Sequence, residues 1–283
     1  MQPIGIVTRN RAPYLDITLR SLSATQLPEG QFLTVYDDAS DSGSTRDYLY
    51  TERPSDFGLA LPNNAAWQRA GLSMVRSRQA APGLAGRINV VPLGVSSSGV
   101  MQASCRALSL LTANYPNQAV VLLQDDVVFS ADWMQALQDE AARRICFGAR
   151  PAPGVICGCD INRELTGPSP SFLAPHGGIT AQCYYFTAAG ATALQDWLRH
   201  PPSERVGFDN KLCAAIRAAG LGVYLMTPGI CQHFGVTSLV RPKCRWTWLG
   251  AAGRVDQTAQ GPFVLAPDVR PFPFAVDGDA ESP

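Results

Sequence analysis

The sequence predicts an α/β fold in which helices flank a mixed, mostly parallel sheet. Apolar segments of strand length alternate with amphipathic helical segments through the first half of the chain, as in successive βαβ units. The clearest strand, residues 119–124, is an unbroken apolar run up to Gln124, which is typical of a strand buried on both faces. It is followed by Asp125 and Asp126, at the strand end where open α/β sheets bind their ligands.

The elements of the first half follow from the period of the apolar residues. Residues 3–8 are predicted to form a short strand, and the polar turn Arg9-Asn10-Arg11 leads into a helix over residues 14–23. The next elements, in order, are a strand at 31–36, helices at 45–50 and 65–76, a strand at 88–93, a helix at 97–113, the strand at 119–124 and a helix at 131–143. Ser130 is predicted to cap the last helix.

The second half mixes strands and helices. Strands are predicted at 155–159, 182–187 and 222–226, and helices at 189–200 and 204–219. From about Asp256 onward Pro, Gly and Asp accumulate, which predicts an extended or partly disordered tail. We therefore expect a single domain with a C-terminal extension.

Composition excludes several classes of protein. The 283 residues are 46% hydrophobic and 16% charged, which is enough for a large core. The formal net charge is zero, so no overall field attracts nucleic acid or an anionic membrane. No apolar run reaches the roughly 18 residues of a membrane helix. Met1–Gly5 lack the charged and apolar regions of a signal peptide. We expect no membrane span and a cytoplasmic location.

Eight cysteines are scattered through the chain, most of them inside apolar segments. Cys157-Gly158-Cys159 is the one close pair, and no second pair stands at zinc-finger spacing. We expect reduced cysteines that act as small core residues. A structural metal or a disulfide is the alternative.

Polar side chains follow three of the predicted strands. Thr8-Arg9-Asn10 follows the first strand, Asp37-Asp38 the second, and Asp125-Asp126 the strand at 119–124. Because parallel strands end at one edge of a sheet, these groups are expected to converge. Two adjacent buried carboxylates need a cation, and all-oxygen ligation favours Mg²⁺ or Mn²⁺ holding a phosphate. Such a cleft suits a nucleoside diphosphate; the alternative is a solvated acid pair ahead of a helix.

These segments resemble a known family. The stretches IVTRNRAPYLDITLRSL, TVYDDASDSGS and VVLLQDDVVFSADWMQAL are similar to the nucleotide-binding half of the GT-A glycosyltransferases, in particular the inverting family-2-like enzymes and N-acetylglucosaminyltransferases. Gly207–Leu212 resembles the helix start that carries the family's catalytic base. Thr227–Ser238 resembles the T-P-x-x-x-x-H-x-G-x-x-S segment, whose histidine completes the metal site. The resemblance covers residues 3–50 and 88–240, and it implies the GT-A (Rossmann-like) fold.

The resemblance implies a nucleotide-sugar pocket at the strand ends. Its residues would be Thr8, Arg9, Asn10, Asp38, Arg106, Gln124 and Asp125. Asp38 would accept from the uracil or a neighbouring base. Gln124 stands where many relatives have an acid, so its contact to the ribose would be a neutral hydrogen bond. Arg106 is a weaker candidate for a contact to the donor.

The resemblance also implies a metal site and a catalytic base. Asp126 and His233 would bind Mn²⁺ or Mg²⁺, with Asp125 as a second ligand or a contact to the donor sugar. The ion would stabilise charge on the departing diphosphate. Asp209 would accept the proton of the attacking hydroxyl. The residues alone leave two alternatives open: a helix-start carboxylate favoured by the helix dipole for Asp209, and a buried core histidine for His233.

The region after residue 204 is rich in cations. Between residues 205 and 254 the chain has seven basic residues and one acid, and Lys243, Arg245 and Trp246 interleave cations with an aromatic ring. We expect this segment to act as a lid over the donor or to face an anionic acceptor, such as a glycan, a lipid-linked phosphate or modified DNA. His176, beside two glycines, is a further acceptor candidate. A basic face that balances an acidic N-terminal half is the alternative.

The sequence therefore predicts a metal-dependent hexosyl- or N-acetylhexosaminyltransferase that moves a sugar from a nucleotide donor, expected to be UDP, to a hydroxyl with inversion. Residues 1–240 would be the catalytic domain, with a nucleotide-sugar half at 1–130 and an acceptor half at 131–240, and 241–283 a lid or extension. One rival is a sugar-nucleotide nucleotidyltransferase, which should have a Gly-rich loop after the first strand, where this chain has Arg9-Asn10-Arg11. The other rival is a non-catalytic nucleotide- or glycan-binding module.

Overall fold

The computed structural model describes residues 2–25, 27–41, 84, 87–94, 99–158, 171–173, 182–200, 207–226 and 230–233. Of residues 13, 171–173 and 232–233 it describes the backbone alone. The features predicted outside these residues are the helices at 45–50 and 65–76, Cys159, His176, the boundary at 240, Lys243, Cys244, Arg245, Trp246 and the tail.

The described residues form ten strands and six α-helices. The strands are β1 (Ile4–Thr8), β2 (Leu33–Asp37), β3 (Ile88–Pro92), β4 (Val120–Gln124), β5 (Val127–Phe129), β6 (Pro153–Cys157), β7 (Ser171–Leu173), β8 (Cys183–Phe186), β9 (Gly222–Met226) and β10 (Cys231–His233). The helices are α1 (Ala12–Ser23), α2 (Gly99–Asn114), α3 (Trp133–Cys146), α4 (Ala188–Ala193), α5 (Gln195–Arg199) and α6 (Phe208–Ala218). A helix long and apolar enough to cross a membrane does not occur in this described set.

One mixed sheet organises the fold, in the strand order β3-β2-β1-β4-β8-β6-β9-β7. The four strands β3, β2, β1 and β4 run parallel to one another, and β9 runs parallel to β6. β8 is antiparallel to both β4 and β6, and β7 is antiparallel to β9. Therefore β1, β2, β3, β4, β6 and β9 all end at the same side of the sheet, which we call the carboxyl edge. The predicted mixed, mostly parallel α/β sheet is confirmed.

The core forms between the sheet and the apolar faces of its helices. On α1, Leu15, Leu19 and Leu22 are fully buried, at the spacing of three to four residues that puts side chains on one helix face. In β4, residues 120–123 are buried throughout, as predicted for a central strand. A Cβ on Gly5 would come within 2.8 Å of the Tyr36 ring, so the packing of β1 against that ring requires glycine.

Most of the described cysteines are buried free thiols, as predicted. They are Cys105, Cys157, Cys183, Cys213 and Cys231, whereas Cys146 is exposed at the end of α3. Burial raises the pKa of Cys105 and of Cys213 to about 12. These two thiols therefore stay protonated at neutral pH and act as apolar side chains.

β5 and β10 form a separate antiparallel ribbon, which the sequence did not predict. Its register pairs Cys231 with Phe129 and His233 with Val127. Ile230 fixes the ribbon on two sides: its N–H donates to the Gly158 carbonyl at 2.9 Å, and its carbonyl accepts from the N–H of the residue after β5 at 2.9 Å. Because Gly158 follows β6, the ribbon lies at the carboxyl edge.

The predicted N-cap at Ser130 is wrong. Helix α3 begins at Trp133, after Asp132, which makes no side-chain cap. The Ser130 N–H bonds to the β10 side of the ribbon, and its Oγ is buried without a hydrogen-bond partner in the described part of the chain. The extra strand β5 thus moves the helix start beyond Ser130. The predicted helix at 189–200 is also wrong in part, since it is divided into α4 and α5 at Leu194.

Candidate functional site

Thr8 connects the ends of three neighbouring strands at the carboxyl edge. It is the last residue of β1, which lies between β2 and β4. Its Oγ1 donates to Asp125 Oδ2 at 2.6 Å, and its carbonyl accepts from the Asp38 N–H at 3.0 Å. Asp38, Asp125 and Asp126 are each only 2–3% exposed. The parallel order of the strands therefore brings these predicted site residues together.

Among the described residues, Arg11 pairs with both of the two adjacent acids. Its Nη1 donates to Asp125 Oδ1 at 2.9 Å, and its Nη2 donates to Asp126 Oδ2 at 2.6 Å. The guanidinium carbon also lies 4.2 Å from the centroid of the Tyr14 ring, which is a cation–π geometry. Arg11 was not among the predicted site residues, and a metal ion was expected next to these acids.

For both Asp125 and Arg11, burial and pairing with the opposite charge shift the pKa in opposite directions. Burial raises the pKa of Asp125 to about 6, although Arg11 and the Thr8 hydroxyl favour its ionised form. Burial lowers the pKa of Arg11, but Asp125 and Asp126 outweigh it, so the pKa of Arg11 lies above its ordinary value. Because both Asp125 oxygens accept hydrogen bonds, this carboxylate is ionised here and depends on the cation beside it.

Two hydroxyls of α1 hold the chain that follows β4. Thr18 Oγ1 donates to the Asp125 carbonyl at 2.9 Å and accepts from the Val127 N–H at 3.1 Å. Ser21 Oγ accepts from the Phe129 N–H at 3.0 Å. Both hydroxyl residues are fully buried. Neither residue was predicted from the sequence; the available signal was the presence of polar residues among the buried leucines of α1.

Thr18→Val is expected to destabilise the protein by roughly 1–3 kcal/mol, because it leaves the Asp125 carbonyl and the Val127 N–H buried without this partner. The measurement is the free energy of unfolding in urea. Thr112→Val is the matched control, since Thr112 is also buried in a helix but bonds only carbonyls of that helix, such as that of Leu108 at 2.9 Å. Equal losses in the two variants would contradict the bridging role of Thr18.

A second set of hydrogen bonds joins the turns after β1 and β2. Asn10 Nδ2 donates to Asp41 Oδ1, and the Asp41 N–H donates to Asn10 Oδ1 at 2.9 Å. Ser40 Oγ accepts from the Asn10 N–H at 2.9 Å and donates to Asp37 Oδ1 at 2.5 Å. Asn10, predicted to line the nucleotide pocket, therefore fixes the turn that carries Asp38.

The remaining predicted pocket residues lie at different distances along the edge. Arg106 is exposed, and its Nη1 donates to the Leu93 carbonyl at 3.3 Å, just after β3. Two strands separate β3 from β4, so the structure does not bring Arg106 to the acid pair. Gln124 is half-buried, and its N–H donates to the Gln182 carbonyl at 3.0 Å. Arg9 is half-buried in the turn after β1.

Asp209 lies in the first turn of α6. Because α6 leads directly into β9, and β9 ends at the carboxyl edge, the start of α6 lies at that edge too. Gly207, with φ of 84°, supplies the left-handed backbone from which the helix begins. The topology therefore puts the predicted base at the same edge as the acid pair, with its side chain half-buried.

The predicted metal ligands approach each other along the backbone. The ribbon register places His233 opposite Val127, the residue that follows Asp126. The described side chains, which do not include that of His233, contain no group of three or more His, Cys, Asp or Glu residues that could hold an ion.

The charge of the edge nevertheless fits a cation. The carboxylates at the ends of β2 and β4 are Asp37, Asp38, Asp125 and Asp126, and all are buried. The turn after β1 supplies two guanidinium groups, Arg9 and Arg11. Buried charge of one sign requires compensation. Asp126 and His233 stay the predicted ligands of a divalent ion.

No family model matches this chain, and the comparison with curated proteins gives no match. The chain is similar to the crystal structure of S. aureus TarS 1-349 in complex with UDP-GlcNAc, at 13% identity and TM-score 0.52, over 87% of this chain and 62% of that chain. It is similar to the mannosyltransferase PcManGT from Pyrobaculum calidifontis in complex with GDP-Man and Mn²⁺, at 17% identity and TM-score 0.47, over 82% and 57% of the two chains. It is also similar to UDP-glucose pyrophosphorylase from Acinetobacter baumanii, at 10% identity and TM-score 0.43, over 80% and 86%.

The similarity to TarS, a GT-A glycosyltransferase, concerns the fold. This chain spans less than two thirds of the length of that structure. The mixed sheet, with its parallel half β3-β2-β1-β4 and its flanking helices, agrees with that fold. The fold of this chain is the GT-A fold that the sequence predicts.

Proposed function

We propose that this protein is a glycosyltransferase that moves a sugar from a nucleotide donor, with UDP as the expected nucleotide, to an acceptor hydroxyl. The observation that carries the proposal is the joining of Asp38 and the Asp125–Asp126 pair through Thr8 at the carboxyl edge of a GT-A fold. This edge offers polar groups for a base and ribose beside a charged centre for a diphosphate. The UDP-GlcNAc in the similar TarS structure supports a nucleotide-sugar donor.

In this proposal the nucleotide lies across the ends of β1 and β2. Asp38 accepts from the base, and its position is set by the Thr8 carbonyl and by the Asn10–Asp41 contacts. Thr8 and Arg9 line the pocket. Gln124, at the end of β4, offers a neutral hydrogen bond to the ribose.

A Mn²⁺ or Mg²⁺ ion held by Asp126 and His233 would supply Lewis-acid stabilisation of the departing diphosphate. Asp209 accepts the proton of the acceptor hydroxyl. The hydroxyl oxygen bonds to the anomeric carbon while the bond between that carbon and the diphosphate breaks. We assign this role to Asp209 because Asp125 already accepts from Arg11 and Thr8. A direct displacement of this kind inverts the anomeric carbon. The acceptor is proposed to be anionic, because the sequence places the basic residues Lys243 and Arg245 beside Trp246. His176 is proposed as a further acceptor contact.

A screen of UDP-, GDP- and dTDP-sugars for hydrolysis, with Mn²⁺ and after chelation, tests this function. We expect the protein to hydrolyse a UDP-sugar. Chelation should abolish this hydrolysis, and added Mn²⁺ should restore it. Asp38→Asn should weaken UDP binding by roughly tenfold, as loss of a charged hydrogen-bond acceptor does. Asp139→Asn, at an exposed acid of α3, is the matched control. UDP binding without turnover would favour a binding module, and synthesis of a UDP-sugar from UTP and a sugar phosphate would favour a nucleotidyltransferase.

A further inference from the structure

Arg11 bonds to two adjacent carboxylates at once. Its two terminal nitrogens reach one oxygen of Asp125 and one of Asp126, at 2.9 and 2.6 Å. Thr8 donates to the second Asp125 oxygen. At least three of the four oxygens of the acid pair are therefore engaged by donors in the described part of the chain. A divalent cation bound to this pair would compete for these oxygens, since Mg²⁺ and Mn²⁺ prefer carboxylate ligands.

The position of Arg11 is built into the fold. Arg11 is the residue immediately before α1, and its carbonyl accepts from the Leu15 N–H at 2.9 Å. Its guanidinium lies over the Tyr14 ring and is 14% exposed, whereas the Asp125 and Asp126 side chains are 4% and 3% exposed. Of these three side chains, that of Arg11 is therefore the most exposed to solvent.

We propose that Arg11 is an internal counter-cation of the Asp125–Asp126 pair, and that a divalent cation binds this pair only by displacing the Arg11 guanidinium. The inference deepens the proposed function and rests on it for the role of the metal. Two cations cannot share the same engaged oxygens at close range without strong repulsion. The resting site consequently binds metal weakly. A nucleoside diphosphate favours the exchange, because a displaced guanidinium has a new anionic partner in the phosphates.

Mn²⁺ binding without nucleotide tests this competition. The free Mn²⁺ signal in electron paramagnetic resonance is titrated with wild type, Arg11→Gln and Arg11→Lys. We expect Arg11→Gln to bind Mn²⁺ roughly 10- to 100-fold more tightly than wild type, which is the contribution of charge-assisted hydrogen bonds at this scale. Arg11→Lys should lie between the two, because an ammonium keeps the charge but cannot bond to both carboxylates as a planar fork does.

Arg20→Gln is the matched control for this titration. Arg20 lies on α1, the helix that follows Arg11, and forms an ion pair with Asp16 at 2.9 Å, so its replacement removes an arginine–aspartate pair without touching the acid pair. We expect wild-type Mn²⁺ affinity in Arg20→Gln. Unchanged or weaker Mn²⁺ binding by folded Arg11→Gln overturns the proposal.

A measurement on the wild-type protein keeps the proposal testable if Arg11→Gln does not fold. Phenylglyoxal modifies accessible guanidinium groups, and mass spectrometry identifies the arginines that react. At saturating Mn²⁺ we expect faster modification of Arg11 and unchanged modification of Arg20. Equal or slower modification of Arg11 with Mn²⁺ overturns the competition.

The two proposals fail in different ways. Metal-dependent turnover of a nucleotide sugar, together with unchanged Mn²⁺ affinity in Arg11→Gln, would overturn the role of Arg11 and leave the function standing. Tighter Mn²⁺ binding by Arg11→Gln, with no nucleotide sugar turned over by the wild type, would overturn the function and support the competition at this site.

Discussion

Replacing Asp209 by Asn is expected to lower the rate of sugar transfer by roughly 10²–10⁴-fold, the range that a positioned general base contributes. Asp209 lies in the first turn of α6, at the edge of the sheet where β4 delivers the acid pair. An amide cannot accept the proton of the acceptor hydroxyl, although it keeps the size of the carboxylate. UDP binding should stay near the wild-type value, because the proposed base contacts the acceptor. The measurements are steady-state turnover and UDP affinity by calorimetry.

The control for Asp209→Asn separates catalysis from helix stabilisation. A carboxylate in the first turn of a helix contributes only about 0.3–1 kcal/mol through the helix dipole. Asp196 also lies in the first turn of a helix, α5, and is highly exposed in its pair with Arg199. Asp196→Asn should therefore leave turnover unchanged. If Asp209→Asn loses stability but keeps full turnover, Asp209 is a helix-start residue and the base lies elsewhere.

The sheet was largely predictable because its central strands carry strong signals. The apolar run of β4 and the alternation of strands with amphipathic helices are properties of short windows, and burial in the middle of a sheet requires them. The position of Asp125 and Asp126 at the carboxyl edge followed from the same pattern. β5, β7 and β10 are three residues each, too short for any period to show. Their pairing depends on partners distant in sequence.

The contacts inside the site were less predictable, because they depend on tertiary position. Arg11 lies 114 residues before Asp125, and an arginine in a polar turn gives no sign of its partner. Thr18 and Ser21 were hidden for a similar reason: a hydroxyl on a helix has no assigned acceptor until the neighbouring chain is in place. Ser130 shows the opposite error, where a good local capping signal was overridden by the ribbon that β5 forms with β10.

Arg11→Met is expected to lower the free energy of unfolding at pH 8 by about 3–5 kcal/mol, the usual effect of removing one partner from a buried ion pair. It leaves Asp125 and Asp126 buried beside each other without this guanidinium. Arg20→Met is the control, because its pair with Asp16 is more exposed, and such pairs contribute about 0–1 kcal/mol. Urea denaturation measures both variants. A loss in Arg11→Met no larger than in Arg20→Met would contradict the role of Arg11 as counter-cation.

The destabilisation of Arg11→Met should also depend on pH and on the partner acid. Burial raises the pKa of Asp125 to about 6 with Arg11 present, and without Arg11 its pKa should rise further. A carboxyl whose pKa is raised on folding is protonated more readily in the folded protein than in the unfolded chain. The stabilisation of the folded state that this provides is fully present below the pKa of the unfolded chain and is lost as the pH rises through the pKa of the folded protein. The difference in the free energy of unfolding between wild type and Arg11→Met should therefore become smaller as the pH is lowered from 8 to 5. Asp125→Asn removes the charge of this carboxylate at every pH. It should therefore lower the free energy of unfolding less in Arg11→Met than in wild type. Additive losses, within about 0.5 kcal/mol, would show that the two residues do not interact.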